Sequence, residues 1–286
     1  MIRLIASDMD GTLLSPDGSV CRENVQAISE ALSKGMHVIV CTGRCKYDAF
    51  GPLRSAGLFL PVLCMNGAVG YLSDGTRFSE NLLSPGKSRQ VLLLAERYGL
   101  IPVVMGEGGD LTTLSREEFI RRFAESSLLP VFDKDTEQLA EHFRFRSIEE
   151  ITDGSEQIYK ITLISERTEE GISAISRVRK ELSQTGAYRI SSSDVNNIEI
   201  TDASVDKGAA LSAYCGEIGI ELSEVAAIGD SENDLSMFCL PLGKRIAMEN
   251  GVAVLKEKAD EITRSNRDAG VAFAIHQMLI NCCERS

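Results

Sequence analysis

Two aspartates, Asp8 and Asp10, end a short apolar run near the start of the sequence, in MIRLIASDMDGTLL. Carboxylates two residues apart on an extended strand point to the same face. At neutral pH they repel each other, so the arrangement is costly unless positive charge lies between them. The pair therefore predicts one of two features: an acidic solvated turn, because Asp-Gly is common in turns, or a metal or phosphoryl site at the end of a strand.

Polar residues also follow three other apolar runs of the chain. Ligands bind beyond the carboxyl ends of the strands in open α/β sheets, so these residues are candidates for the same site. They offer carboxylates for a hard cation, and a lysine, a hydroxyl and backbone N–H groups for phosphate oxygens, which are the parts of a metal-assisted phosphoryl-transfer site. In chain order the segments that follow the three runs are Thr42-Gly43-Arg44, Asn66-Gly67 and Gly229-Asp230-Ser231-Glu232-Asn233-Asp234. Lys207-Gly208 adds the lysine, at the start of a helix just before the last of these runs.

Strands and helices that could position these residues alternate over the first eighty residues. The charge-free run HVIVC at 37–41 is typical of a buried parallel strand. Helical periodicity at 22–34 ends at Gly35, a common stop signal. With strands at 3–7 and 61–65 and a helix at 47–55, the order predicts a parallel sheet with right-handed crossovers.

The middle of the chain has a different pattern. A Ser-Asp-Gly-Thr turn predicts a β-hairpin within 68–83. Beyond it we predict a mixture of helices (87–98, 116–126, 169–184) and strands (100–105, 158–164, 187–192), which suits a separate α+β domain. The βα pattern resumes with a helix at 208–216, a strand at 225–228 and a final helix at 268–282. We therefore predict an α/β fold: a doubly wound, Rossmann-like core at 1–83 and 199–286, with an inserted α+β domain at 84–198.

Composition narrows the classes of partner. The 286 residues carry a formal charge of −12, which disfavours nucleic acid and anionic membranes as partners because both require a positive field. A phosphorylated substrate is still allowed, since a lysine and a divalent cation can override the global charge. No run reaches the ~20 apolar residues that span a bilayer. The eight cysteines form no Cys-x-x-Cys pair, which predicts reduced thiols in a cytoplasmic protein. Cys282-Cys283 is the one place where the sequence allows oxidation or a bridge between molecules.

Four segments, in order, resemble the motifs of the haloacid dehalogenase (HAD) superfamily: DMDGTLL, VIVCTGR, SVDKGAAL and GDSENDLSMF. CMNGA, the late segment ADEITRSNRDAGV and the insertion itself resemble the Cof-type subgroup of sugar-phosphate phosphatases. The resemblance implies an Mg²⁺-dependent phosphatase that acts on small phosphorylated metabolites, such as sugar phosphates, through an aspartyl phosphate. It also implies that the inserted domain is a cap that closes over the site.

The resemblance implies a role for each matching residue. Asp8 is then the nucleophile, and Asp10 protonates the leaving alcohol and later deprotonates the attacking water. Mg²⁺ is held by the Asp8 side chain, the Asp10 backbone carbonyl and Asp230, with Asp234 as a further ligand or as support.

The transferring phosphoryl group has its own set of implied contacts. They are the side chains of Thr42, Lys207 and Asn233 and the backbone N–H groups of Met9 and Gly43.

One segment departs from the family pattern. Ala247-Met248-Glu249-Asn250-Gly251 carries a glutamate where relatives commonly have glycine, which places a charge near the site entrance. Arg44 and Glu249 are therefore our candidates for contact with the leaving group.

Two other functions use the same scaffold. A phosphomutase returns the phosphoryl group to another hydroxyl of the substrate, and the sequence leaves this alternative open. A non-catalytic metabolite sensor is disfavoured, because a sensor has no need of both Asp8 and Asp10.

Overall fold

The computed structural model describes residues 1–125, 136–192 and 194–283 of the chain. None of the helices within these ranges is long and apolar enough to cross a membrane. The strands, numbered along the chain, are β1 Leu4–Ser7, β2 His37–Cys41, β3 Val62–Cys64, β4 Val69–Tyr71, β5 Arg77–Glu80, β6 Ile101–Gly106, β7 Gly109–Thr112, β8 Phe143–Phe145, β9 Ile158–Ile164, β10 Tyr188–Ser191, β11 Asn197–Asp202, β12 Val225–Gly229, β13 Lys244–Ala247 and β14 Glu261–Ile262. The α-helices are α1 Arg22–Ser33, α2 Lys46–Ser55, α3 Pro85–Arg97, α4 Arg116–Glu125, α5 Thr136–Ala140, α6 Ile148–Ile151, α7 Glu169–Ser183, α8 Lys207–Ile218, α9 Leu235–Phe238, α10 Ala253–Lys256 and α11 Gly270–Cys283.

The chain divides into two compact units, and the first consists of Met1–Glu80 with Val205–Ser286. Its sheet has the order β14-β13-β12-β1-β2-β3-β4-β5. Strands β14 to β3 pair in parallel, and the hairpin of β4 and β5 adds two antiparallel strands. The α/β fold class predicted from the sequence is therefore confirmed, including the hairpin.

Both faces of this sheet are covered. Leu4 and Ala6 of β1 lie in one hydrophobic cluster with Leu211 and Tyr214 of α8. Ile5 points the other way and is fully buried, and α1 packs against β2 and α11. Burial on both faces explains why these strands are continuous apolar runs, and the doubly wound arrangement brings the strands' carboxyl ends to one edge.

The second unit is Asn81–Ser204 and has its own mostly antiparallel sheet, in the order β10-β11-β9-β6-β7-β8. Helices α3 and α7 pack on one face of it through Val91 and Val178. Phe119 and Phe123 of α4 pack on the other face, against β6 and β9. Its two ends are adjacent, because the Asn81 side chain donates a hydrogen bond to the Ser204 hydroxyl at 2.8 Å.

The bounds of this unit differ from the predicted insertion, 84–198. Strand β11, Asn197–Asp202, pairs with β9 and β10 and so belongs to the inserted sheet. Its sequence, NIEITD, alternates polar and apolar residues and has no long apolar run. Helix α3 begins at Pro85 rather than at 87, because the Ser84 side chain caps it and proline fits the first turn. Residue 126 of the predicted fourth helix lies outside the described residues.

Candidate active site

Asp8 lies directly after β1 and is almost fully buried, with 3% of its surface exposed. Its backbone N–H continues the parallel ladder by donating to the carbonyl of Ile228 at 2.9 Å. One carboxylate oxygen, Oδ1, accepts a hydrogen bond from Lys207 Nζ at 2.6 Å. The other oxygen, Oδ2, is buried and has no hydrogen-bond partner among the described residues. A buried carboxylate oxygen without a partner is costly, so Oδ2 is placed to receive a cation or a substrate atom.

Lys207 is the first residue of α8, and its side chain is completely buried. Asp206 caps this helix by accepting the backbone N–H of Ala209, which fixes where the lysine leaves the backbone. The ammonium donates to Asp8 at 2.6 Å, to Asp234 Oδ1 at 2.7 Å and to Asn233 Oδ1 at 3.1 Å. Lys207 therefore joins the end of β1 to the loop that follows β12.

Asp234 holds that loop in place. Its Oδ2 accepts the backbone N–H groups of Asp230 and Ser231, both at 3.0 Å, while its Oδ1 accepts from Lys207. Asp230 Oδ1 in turn accepts a hydrogen bond from the Thr12 hydroxyl, with 3.0 Å between the two oxygens. Carboxylate oxygens of Asp8, Asp230 and Asp234 all lie within 4.8 Å of one another.

The charges of this cluster do not balance, because three carboxylates face one ammonium. Burial, and next the charge of Asp234, raise the pKa of Asp8 well above its ordinary value. The same two causes raise the pKa of Asp230. Burial disfavours the charged form of Lys207 and so lowers its pKa. The negative charges of Asp8 and Asp234 have the larger combined effect, and the pKa of the lysine is raised. Hard oxygen ligands with surplus negative charge fit a divalent cation, and the partnerless Asp8 oxygen supplies an open ligand atom.

The backbone turns directly after Asp8 and passes close to Asp230, which is possible because residue 11 is glycine. Gly11 has φ +77°, a conformation that side chains rarely adopt. A Cβ atom there would lie 2.3 Å from Asp230 Oδ2. The glycine is therefore required both by the backbone conformation and by the close approach of the carboxylate.

The structure corrects the expectation that Asp8 and Asp10 share one face. The strand ends at Ser7, and the chain then turns at Gly11, so the two carboxylates lie in different surroundings. The Asp10 side chain is 56% exposed and forms an ion pair with Arg44. The arginine donates through Nε to Oδ2 at 2.8 Å and through Nη2 to Oδ1 at 2.6 Å. It also donates through Nη1 to the backbone carbonyl of Asp48 at 3.0 Å.

Residues at the ends of β2 and β3 complete the predicted site. Thr42 is buried, and its hydroxyl accepts the backbone N–H of Arg44 at 3.1 Å. A Cβ on Gly43 would lie 3.3 Å from Asn66 Oδ1, so the backbone approaches this side chain closely. Asn66, which the sequence places at a strand end as a candidate for the same site, adopts φ +59° and accepts from Asn233 Nδ2 at 3.3 Å. The contact with Asn233 gives this candidate a particular position, which the sequence alone did not.

Glu249 is exposed, and its neighbour Asn250 makes the contact with the site. Asn250 Nδ2 donates to the Gly11 carbonyl at 2.8 Å, and its Oδ1 accepts the backbone N–H of Asn266 at 2.9 Å. The Asn266 side chain donates to the Leu14 carbonyl at 2.8 Å. These two asparagines therefore fasten the loop that carries Asp10, a role that no local pattern in the sequence indicates.

Comparison with known proteins identifies relatives along the whole chain. The model of haloacid dehalogenase-like hydrolases matches residues 5–275. The Bacillus subtilis protein YwtE, a 5-amino-6-(5-phospho-D-ribitylamino)uracil phosphatase, is 30% identical over 97% of this chain and 98% of its own length. A solved haloacid dehalogenase-like hydrolase from B. subtilis superposes with a TM-score of 0.78 at 27% identity, covering 96% of this chain and 99% of its own. TM0651 from Thermotoga maritima shares the fold, with a TM-score of 0.79 at 22% identity over 97% of each chain.

Proposed function

The chain belongs to the haloacid dehalogenase-like hydrolases of the Cof type, and on this premise we propose that it is an Mg²⁺-dependent phosphatase acting through an aspartyl phosphate. Its substrates are small phosphorylated metabolites, among them sugar phosphates. One observation carries the proposal: the buried Asp8 carboxylate is held by Lys207 through one oxygen, and its other oxygen has no partner within the part of the chain that the structure describes.

The acidic cluster is the proposed metal site. Asp8, Asp230 and the backbone carbonyl of Asp10 would hold the ion, and Asp234 would keep the loop and Lys207 in place. When bound, Mg²⁺ supplies positive charge against the carboxylates and the phosphate oxygens, so that Asp8 can approach a dianionic substrate.

Asp8 attacks phosphorus, forming the aspartyl phosphate while the bond from phosphorus to the leaving oxygen breaks. Asp10 gives its proton to that oxygen. It then takes a proton from the water that hydrolyses the acyl phosphate, which restores Asp8 and releases inorganic phosphate. Lys207 contributes its fixed positive charge at the buried carboxylate.

The transferring phosphoryl group also needs neutral hydrogen-bond donors. We assign these to Thr42, Asn233 and the backbone N–H groups of Met9 and Gly43, which follow the same strand ends. Donors fixed before the reaction cost no reorganisation during it.

The name of YwtE describes a phosphate ester on an acyclic sugar-alcohol chain. This supports a substrate screen that contains phosphorylated polyols beside cyclic sugar phosphates, with released phosphate measured in Mg²⁺ and in EDTA.

The mechanism is tested by separating the two aspartates. Asp8→Asn removes the attacking oxygen and should abolish turnover, whereas Asp10→Asn leaves it intact. Rapid quench with ³²P-labelled substrate should therefore trap labelled protein in Asp10→Asn and none in Asp8→Asn.

Asp17→Asn is the matched control, because Asp17 is an exposed carboxylate that accepts hydrogen bonds from its neighbour Ser19 on the surface. Its turnover should equal that of the unaltered protein. Labelling of Asp8→Asn at an acyl phosphate would place the nucleophile elsewhere and would contradict the proposal.

A further inference from the structure

Asp10 is held by a single side chain. Its carboxylate is more than half exposed, and within the described residues Arg44 is the only group that donates a hydrogen bond to it. From this geometry we infer that Arg44 is a positioning residue for Asp10 rather than a contact for the leaving group. The inference rests on the proposed role of Asp10 in proton transfer.

The guanidinium is matched to the carboxylate in shape. Two parallel hydrogen bonds, from Nε at 2.8 Å and from Nη2 at 2.6 Å, bind the two oxygens of Asp10 and so fix both the position and the plane of its carboxylate. A lysine at this position would keep the charge but could not supply the planar fork.

Arg44 is itself fixed to the end of the sheet. Its backbone N–H donates to the Thr42 hydroxyl at 3.1 Å, and its carbonyl accepts the N–H of Met65 at 3.0 Å. Its third guanidinium nitrogen, Nη1, donates to the Asp48 carbonyl in the first turn of α2. The position of Asp10 is thus set by β2, β3 and α2 through the arginine.

Without Arg44, the exposed Asp10 side chain is free to leave the orientation in which it reaches the leaving oxygen. Misplacement of a catalytic group by about 1 Å can cost ~10²-fold in rate, and general acid–base help is worth ~10²–10⁴-fold in total. Arg44→Ala should therefore reduce kcat by roughly 10- to 100-fold for substrates that need the acid.

The chain contains a matched control pair in the same unit. Arg245 forms the same forked pair with Asp260, through Nε at 3.0 Å and Nη2 at 3.1 Å. Its side-chain exposure, 29%, equals that of Arg44. Arg245→Ala therefore reports the cost of losing such a pair away from the site.

The experiment compares Arg44→Ala, Arg44→Lys and Arg245→Ala on phenyl phosphate and on 4-nitrophenyl phosphate, whose leaving group needs the acid less. We expect both Arg44 variants to release the phenol more slowly in a single turnover, mainly with phenyl phosphate, with the half-saturating concentration unchanged, and Arg245→Ala to change neither quantity. Release in a single turnover reports formation of the aspartyl phosphate and not its later hydrolysis. A rise in the half-saturating concentration at a constant single-turnover rate, or equal losses of that rate on the two esters, would overturn the inference.

A double-mutant cycle then separates the inference from the proposed function. In an Asp10→Asn background, Arg44→Ala should add less than a twofold further loss on phenyl phosphate, the ester on which Arg44→Ala alone loses most. If Asp10→Asn is impaired and the two losses multiply, the positioning role is wrong and the proposed function stands. If Asp10→Asn alone has unchanged turnover on both esters, the proposed role of Asp10 is itself wrong.

Discussion

Removal of the Lys207 ammonium should strongly destabilise the first unit. Lys207→Met keeps an unbranched side chain, one atom shorter than lysine, and deletes a completely buried charge that donates to Asp8, Asp234 and Asn233. Breaking a buried ion pair by removing one partner typically costs ~3–5 kcal/mol. For a domain of this size each kcal/mol lowers Tm by ~2–4 °C, so we expect a fall of roughly 6–20 °C in EDTA.

The cost arises because the variant removes the ammonium that is in hydrogen-bond contact with Asp8 and Asp234, two of three neighbouring carboxylates. Burial already raises the pKa values of Asp8 and Asp230 in the presence of the lysine. In the variant, a bound divalent cation would supply positive charge directly against these carboxylates. A ligand that binds only the folded state raises its stability, so excess Mg²⁺ should recover part of the lost Tm.

Scanning calorimetry in EDTA, with and without excess Mg²⁺, measures both effects. Lys244→Met is the control, because Lys244 pairs with Glu261 near the surface, with side chains 23% and 32% exposed. Exposed pairs contribute ~0–1 kcal/mol, so its Tm should change by no more than about 4 °C. A fall for Lys207→Met no larger than that of the control would refute the assignment of Lys207 as the charge that holds the site together.

Three other changes test particular features of the two units. Gly11→Ala should reduce phosphatase activity more than tenfold, because the new Cβ displaces Asp230. Gly18 has φ +80° and no atom within 4 Å of a Cβ, so Gly18→Ala should lower only the free energy of unfolding, by the ~1–2 kcal/mol of left-handed strain, as thermal unfolding can measure. Burial raises the pKa of the Cys215 thiol to about 11, so iodoacetamide at pH 8 should leave it unmodified in the folded protein and alkylate it in urea, as mass spectrometry can follow. A chain in which a short Gly-Ser linker replaces residues 81–204 should still unfold cooperatively by circular dichroism, and should lose turnover of sugar phosphates while retaining some on 4-nitrophenyl phosphate. Absence of a cooperative transition would show that the first unit does not fold alone.

The elements that position the site could be predicted because their signals are local. HVIVC and VAAI are apolar throughout, as strands covered on both faces must be, and both pair in parallel within the sheet that contains β1. Once those strands are placed, their carboxyl ends must meet at one edge. The proximity of Asp8, Lys207 and Asp234 follows from this topology more than from any single motif.

Other features could not be predicted because they depend on contacts between distant parts of the chain. The sequence contains nothing that pairs Arg44 with Asp10 rather than with a substrate. Likewise, Asn250 reaches the Gly11 carbonyl across 239 positions of sequence. Strand β11 is different: the alternation of polar and apolar residues in NIEITD is a local strand signal, but its place in the inserted sheet depends on its pairing with β9 and β10.

The different surroundings of Asp8 and Asp10 suggest how two identical residues, two positions apart, can take different roles. Asp8 continues the buried strand and is desolvated against Lys207, which suits a nucleophile that must not be shielded by water. Asp10 lies beyond the strand end, beside the left-handed turn at Gly11, and remains in contact with solvent, which suits a group that must exchange protons with an alcohol and then with water. Environment rather than residue type sets such roles at paired carboxylates. The proposed difference in role between the two aspartates therefore depends on Gly11, which turns the chain after Asp8, and on Arg44, which holds the exposed Asp10 carboxylate.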